Sequence, residues 1–367
     1  MRIAFDYQTF ALQTYGGISR YFTRLAKNFS ANCEQVKLFA PLHINAYLGT
    51  LPSDMVHGRR LRRYPPKTTR LISAYNHFFS RNLISKWQPD IVHETYYARY
   101  RSAPKKCPTV ITVYDMIHEL YSQEFLQRDN TAALKKISIS RADHVICISE
   151  NTKRDLINLH GVSENKISVV LLGFDQFSIY TQTQRMKESH AKPFLLYVGP
   201  RGGYKNFVRF LQSVAASKKL RSDFDVIAFG GGQFTSAELA MIASLGFEST
   251  QIRQVSGDDA LLGMYYLTAS VFVYPSLYEG FGIPPLEAMA HCCPVVSSNT
   301  SSLPEVIGNA GEYFNPTNTA EMCHAIESVV YSDSRTRELK SLGTARLSHF
   351  SWTTCAEQTL MVYRNLL

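Results

Sequence analysis

Two glutamates eight residues apart, Glu279 and Glu287, bracket the segment EGFGIPPLE. Gly280, Phe281 and Gly282 follow the apolar run Val271–Tyr274, and Pro284-Pro285 opens a helix, because proline is tolerated where the first amides lack partners. Free amides at a helix start, with the positive end of the helix dipole, make a seat for an anion such as a pyrophosphate. Glycines let the backbone approach phosphate oxygens. Two carboxylates beside such a seat would repel the phosphate itself, so neutral hydroxyls of a sugar or ribose suit them better; Glu287 is expected in the first helical turn. A second segment, LLYVGPRGGYKN at 195–206, ends a strand in a glycine-bearing loop with Arg201 and Lys205. Cations placed there can neutralise charge that builds on a departing diphosphate. His118, with Asp115 and Glu119 in TVYDMIHEL, follows the run Val110–Val113, and His93 in DIVHETYY also ends an apolar run. Gly16-Gly17 precede the helical pattern ISRYFTRLAKNF but do not make the G-x-G-x-x-G fingerprint of nicotinamide cofactors.

These residues stand at the ends of short apolar runs that alternate with helical patterns. The runs are Ile3–Phe5, Val36–Phe39, Ile91–Val92, Val110–Val113, Val145–Ile148 and Ile167–Leu171, then Phe194–Val198, Val226–Phe229, Ile252–Val255, Val271–Tyr274 and Val295–Ser297. Such alternation predicts βαβ units with parallel sheets, and two series predict two α/β domains. The polar stretch 174–193 separates them, giving domains at 1–177 and 178–351 and a last helix over 352–367 that packs back on the body. In open α/β sheets, ligands bind beyond the carboxyl ends of the strands, where the residues above fall. Asp223-Phe224-Asp225 has the form of a D-x-D metal motif, but it enters a strand and its first residue is expected outside it, so no metal site is assigned. Seven scattered cysteines without C-x-x-C spacing argue against a disulfide framework or zinc and for a reducing compartment. Cys292 and Cys293 are expected only to fill space.

The string at 279–287 resembles the E-x7-E signature of retaining glycosyltransferases of family 4. The resemblance covers nearly the whole chain, most specifically 195–206 and 271–306. It implies the GT-B fold: an α/β architecture of two facing Rossmann-like domains, the first on the acceptor side, the second binding the nucleotide sugar, closed by a C-terminal helix. It further implies that Glu279 contacts hydroxyls of the donor sugar and Glu287 the ribose. The amides of Gly280, Phe281, Gly282 and Ile283 would hold the donor phosphates, with Gly16 and Gly17 approaching them from the other domain. Lys205 and Arg201 would meet the leaving diphosphate, His118 the donor sugar, and backbone near Val255 the base, before a helix capped by Ser256 or Asp258. The family usually has Arg directly after the first glycine of the 199–206 loop; here that place is Pro200. It also has Gly where Cys292 or Cys293 stands. The implied reaction is retaining transfer by a front-face route, with no cofactor and no metal beyond the nucleotide-diphosphate sugar. The bacterial relatives with V-G-x-R-G-G-Y-K-N build surface polysaccharide on a lipid carrier, often from GDP-mannose, with UDP- or dTDP-sugars as alternatives. A sugar-nucleotide 2-epimerase shares the architecture but needs acid/base groups rather than E-x7-E.

The 367 residues carry a formal charge of +9 and are 45% hydrophobic. The excess is confined to the first half, and within it to residues 59–106, where 12 basic residues face only Asp90 and Glu94. That window suggests an anionic partner. No nucleic-acid motif accompanies it, so an anionic membrane surface or a lipid-linked acceptor is expected, with Tyr64, Tyr96, Tyr97 and Tyr100 beside the cations. Within the window, Leu71, Ile72, Tyr75, Phe78, Phe79 and Leu83 recur at helical spacing and read mainly as the inner face of a helix packed on the sheet. The start MRIAFDYQTF has no leader pattern and no apolar run long enough to span a bilayer exists, which predicts a soluble cytoplasmic chain, peripheral at most on a membrane.

Overall fold

A computed structural model describes residues 1–175 and 192–367. The expected boundary at 177/178 and most of the expected linker lie outside the described residues. The chain forms two units, Met1–Gly173 with Ser351–Leu367, and Phe174–Phe350.

In the first unit, β1 (Arg2–Phe5), β2 (Gln35–His43), β3 (Val56–Arg60), β4 (Ile91–Glu94), β5 (Thr109–Val113), β6 (His144–Cys147) and β7 (Ile167–Val169) form one sheet, ordered β3-β2-β1-β4-β5-β6-β7. In the second, β8 (Phe194–Val198), β9 (Asp225–Phe229), β10 (Ile252–Val255), β11 (Val271–Tyr274), β12 (Val295–Ser298) and β13 (Gly311–Phe314) are ordered β10-β9-β8-β11-β12-β13. Every pairing among these strands is parallel. Parallel neighbours need crossover connections, so helices cover the sheets, and the central strands β4, β5, β11 and β12 are buried along their whole lengths. In each sheet the strand order reverses once, between β1 and β4 and between β8 and β11. Those two points are where an open α/β sheet leaves a crevice for a ligand.

Two strands were not anticipated. VHGRR and GEYF, which form β3 and β13, have one β-branched residue between them and lie at sheet edges, where pairing with β2 and β12 supplies what propensity does not.

The last helix, Trp352–Arg364, belongs to the first unit. It starts at Ser351, whose side chain accepts from the Thr354 amide, and buries Cys355, Thr359, Leu360 and Tyr363. Phe29 of the helix Gly17–Ala31 packs against Tyr363, and Arg364 pairs with Glu34, which also holds the N-terminal ammonium at 2.8 Å. Beneath this helix His93 is fully buried. Its Nδ1 lies 2.6 Å from the Tyr363 hydroxyl and its Nε2 2.8 Å from the Thr112 hydroxyl. The ring thus ties β4, β5 and the last helix together. Burial pushes its pKa down to about 3.

That depression has a sign. Between the ordinary histidine value and pH 3, only the unfolded chain takes up the His93 proton, so acidification favours unfolding. The contribution of this one ring is about 1.4 kcal/mol per pH unit once the pH is well below 6.5. Urea denaturation of wild type and His93→Gln between pH 7 and 5 should show the variant less stable at pH 7 but losing less stability on acidification; parallel pH profiles would refute the assignment.

Candidate active site

At the reversal between β8 and β11, the loops that leave the two strands are joined. The Leu277 amide donates to the Tyr204 carbonyl at 2.7 Å. Asn206, in the left-handed region (φ 61°), donates its amide to the carbonyls of Pro275 and Pro316 at 2.9 and 2.8 Å. This fastening brings Lys205 to Glu279, Nζ to Oε1 2.6 Å, with 15% and 10% of the two side chains exposed. The Tyr274 hydroxyl also hydrogen-bonds Glu279, and burial together with that carboxylate pushes the phenol pKa well up, so it stays a donor. The backbone of the glutamate is held as well: its amide donates to Ser301 Oγ at 2.9 Å, and Ser302 Oγ donates to the carbonyls of Glu279 and Phe281. Asn206, Ser301 and Ser302 were not singled out from the sequence. A run of small polar residues before a Pro-containing helix, NTSSLPE, is the only local signal for the serines.

Gly282 caps the helix Ile283–Ala290 with φ 113°, a conformation that disfavours any side chain, and a Cβ there would stand 2.9 Å from Leu303 Cδ2. Ile283 opens the helix with Pro284 and Pro285 after it, and no side-chain hydrogen bond caps its start among the described residues. Gly280 to Ile283, where the sequence reading expects an anion seat, lie at the start of this helix. Glu287 does not lie in the first turn. It is the fifth helical residue, because the helix begins at Ile283, and it is buried with Tyr266, whose hydroxyl donates to Oε2 at 3.3 Å.

Arg201 goes elsewhere. Its Nε donates to Glu238 Oε1 at 2.7 Å, and its terminal nitrogens donate to the carbonyls of Gly230, Gly232 and Gln233 and to Glu238 Oε2. The guanidinium lies 4.6 Å from the centre of the Phe234 ring. All five donors are engaged, three by carbonyls of the loop after β9 and two by Glu238 of the helix Ser236–Ser244, so in this geometry Arg201 ties that loop to the helix. Gly231 (φ 70°) has no room for a side chain there, since a Cβ would meet the guanidinium at 2.7 Å. The guanidinium holds the Glu238 carboxyl down to about 2. Arg201, Asn206, Arg209, Gln233 and Glu238 line a cavity of about 820 Å³ between the β8 and β9 loops, to which Lys205 and Glu279 do not contribute.

Val255 ends β10, its carbonyl accepting from the Gly230 amide at 2.8 Å, and Asp258 rather than Ser256 caps the following helix. Asp223 ends a helix and Asp225 opens β9, where it pairs with Arg253 at 3.2 Å. Among the described residues no cluster of three His, Cys, Asp or Glu could hold a metal. Cys293 is buried, but Cys292 is exposed and fills no space.

The first unit carries the remaining candidates. His118 lies in the short helix Ile117–Leu120 beyond β5, stacked on Phe125 with ring centres 4.0 Å apart and Nε2 3.9 Å from Asp129. Asp115 and Glu119 are drawn to the buried Lys135 ammonium, which donates to the Asp115 carbonyl and to Glu119 Oε2, both at 2.8 Å. Gly16 and Gly17 start the helix Gly17–Ala31. Gly16 is extended, and the Gln13 side chain covers it while accepting from the Ser19 amide.

Two parallel-sheet Rossmann-like units are the architecture of the GT-B class, and the second unit holds a cation–carboxylate pair where its strand order reverses. The Glycosyltransferase Family 4 model matches residues 15–176 and the Glycosyl transferases group 1 model matches residues 180–345, and the chain belongs to these glycosyltransferases. It is 28% identical to O-antigen chain mannosyltransferase B of Escherichia coli, over 95% of this chain and 96% of that one. Among solved structures it resembles sucrose-phosphate synthase from Thermosynechococcus elongatus, with TM-score 0.77, 19% identity and coverage of 100% and 98%. It likewise resembles HepE of Anabaena in complex with UDP-glucose, with TM-score 0.74, 17% identity and full coverage of both chains.

Replacing Arg201 by Lys keeps the charge but not the fork that serves three carbonyls and a carboxylate. Denaturant titration should show a loss of about 2 kcal/mol. An unchanged midpoint would mean that the guanidinium does not organise the Gly230–Gln233 loop.

Proposed function

We propose that the protein is a retaining mannosyltransferase that moves mannose from GDP-mannose to a hydroxyl of a lipid-linked or surface-polysaccharide saccharide. The observation that carries this reading is the Lys205–Glu279 pair, 2.6 Å apart at the reversal of the second sheet and next to an uncapped helix start. The identity to an O-antigen mannosyltransferase over almost the whole chain supports the choice of sugar.

In this reading the amides from Gly280 to Ile283 hold the donor diphosphate. Lys205, already aimed by Asn206, balances the negative charge that grows as the bond from the sugar to the diphosphate breaks. Glu279 accepts from donor-sugar hydroxyls while its pairing with Lys205 and Tyr274 fixes its direction. Glu287, oriented by Tyr266, accepts from the ribose hydroxyls, and backbone near Val255 meets the base. Arg201 acts through the loop it organises. The acceptor hydroxyl attacks on the face from which the diphosphate leaves, so the anomeric configuration is kept. No metal and no cofactor takes part.

Thermal shift against a panel of nucleotides and nucleotide sugars tests the donor. A ligand present at 100 times its dissociation constant stabilises by about 2.7 kcal/mol, so GDP and GDP-mannose should raise the melting temperature while UDP- and dTDP-sugars leave it unchanged. The reverse pattern would replace the donor. With donor and acceptor present, Lys205→Ala and Glu279→Gln should each lower kcat roughly 100- to 1000-fold. Full activity in either variant would remove that residue from the mechanism. Release of an epimerised sugar nucleotide without acceptor would replace transfer by isomerisation.

A further inference from the structure

Most of the apolar stripe of the helix Thr69–Trp87 faces outward, against its sequence expectation. The side it buries against β2 is partly polar: Asn76, Ser80 and Ile84, at four-residue steps. Asn76 Oδ1 accepts from the Leu42 amide and its Nδ2 donates to the Leu42 carbonyl, both at 2.8 Å, while Ser80 Oγ donates to the Phe39 carbonyl at 2.9 Å. β2 carries an irregularity between Phe39 and Leu42 in its pairing with β3, and these side chains satisfy backbone groups there. Four of the six apolar residues of the stripe are consequently turned outward, while Ile72 and Leu83 are half-buried. Leu71 is 72% exposed, Phe78 66%, Tyr75 42% and Phe79 40%. They form one patch, with the Tyr75 and Phe79 rings 4.2 Å apart and Phe78 and Phe79 5.4 Å apart. At the amino-terminal end the patch runs into an apolar groove of about 420 Å³ lined by Leu42, Leu61, Pro65, Leu71, Ile72 and Tyr75.

The charge around this patch has one sign. From residue 55 to residue 89 there is no acidic residue. Arg59, Arg60, Arg62, Arg63, Lys67 and Arg70 are all exposed, and among the described residues none of them joins an ion pair. By contrast, other parts of the basic window are already engaged. Arg101 pairs with Asp143 and donates to the Cys107 carbonyl, Tyr97 is buried, Tyr96 is half-buried, and the Tyr64 hydroxyl donates to the Leu42 carbonyl. The sequence expectation of a tyrosine belt therefore keeps only Tyr100.

We propose that the outward face of the helix Thr69–Trp87, with the Arg59–Lys67 segment beside it, docks the first unit on an anionic lipid bilayer. Leucine and phenylalanine side chains enter the boundary between headgroups and acyl chains, and the flanking guanidiniums meet lipid phosphates. An apolar helix face rimmed by Arg and Lys lying in the plane of the interface is the form that such binding takes. Charge also selects the bilayer over a second copy of this chain, because two such faces bring cations against cations with no carboxylate to answer them. No helix among the described residues is long and apolar enough to cross a membrane, so the attachment is peripheral at this surface. The proposal stands on this surface alone and is independent of the donor and acceptor assigned above.

Co-sedimentation of the full chain with vesicles of phosphatidylethanolamine and phosphatidylglycerol, compared with phosphatidylcholine alone, reads the docking without reading transfer. Wild type should sediment with the anionic vesicles at about 0.1 M salt and several-fold less at about 0.5 M, where charges are screened, and only weakly with phosphatidylcholine. Phe78→Asp, and separately the pair Arg62→Glu and Arg63→Glu, should each weaken binding at least tenfold. Because these side chains are exposed, circular dichroism and melting should stay as in wild type. Three results would overturn the proposal: equal binding to both vesicle types, full binding by Phe78→Asp, or a dimer in sedimentation velocity that Phe78→Asp dissolves while wild type ignores the vesicles.

Discussion

An ammonium and a carboxylate withdrawn from water within 2.6 Å of one another constrain everything around them in the second unit. Each group alone would lose several kcal/mol of hydration on burial, and only close pairing with added hydrogen bonds restores it. Lys205 and Glu279 lie 74 residues apart, on loops leaving adjacent strands, so the pair exists only if β8 and β11 are neighbours and their loops are fastened. Asn206, Ser301 and Ser302 do the fastening through backbone groups. The arrangement leaves a directed cation and a directed acceptor beside the start of a helix.

Arg201 illustrates the competition for such positions. Three glycines with positive φ, Gly230, Gly231 and Gly232, shape a loop that turns the carbonyls of Gly230, Gly232 and Gln233 inward, and the guanidinium fork answers those three better than an ammonium could. Arg201 is thus drawn to the loop and helix beyond β9, and it lines a cavity of the second unit.

Much was legible from local pattern. The eleven apolar runs all became strands, because fully buried parallel strands need nearly continuous β-branched and aliphatic residues, and the glycine loop with its paired prolines became a helix start. Edge strands β3 and β13 were not legible, since their formation depends on a neighbour and not on their own residues. Periodicity found the helix Thr69–Trp87 but not its orientation. An apolar stripe normally faces inward, yet here the polar side satisfies buried backbone groups of an irregular strand, and that requirement outweighs burial of Leu71 and Phe78.

The sequence by itself determined the class of fold, the alternation of strands and helices, the spacing of Glu279 and Glu287 and the place of the basic window, because each is a matter of residue type along a short stretch. Tertiary structure alone decided which cation meets Glu279, which tyrosines remain exposed and which face of a helix looks outward. Those outcomes depend on which distant backbone groups are left without partners, and they can be read only once the strands stand side by side.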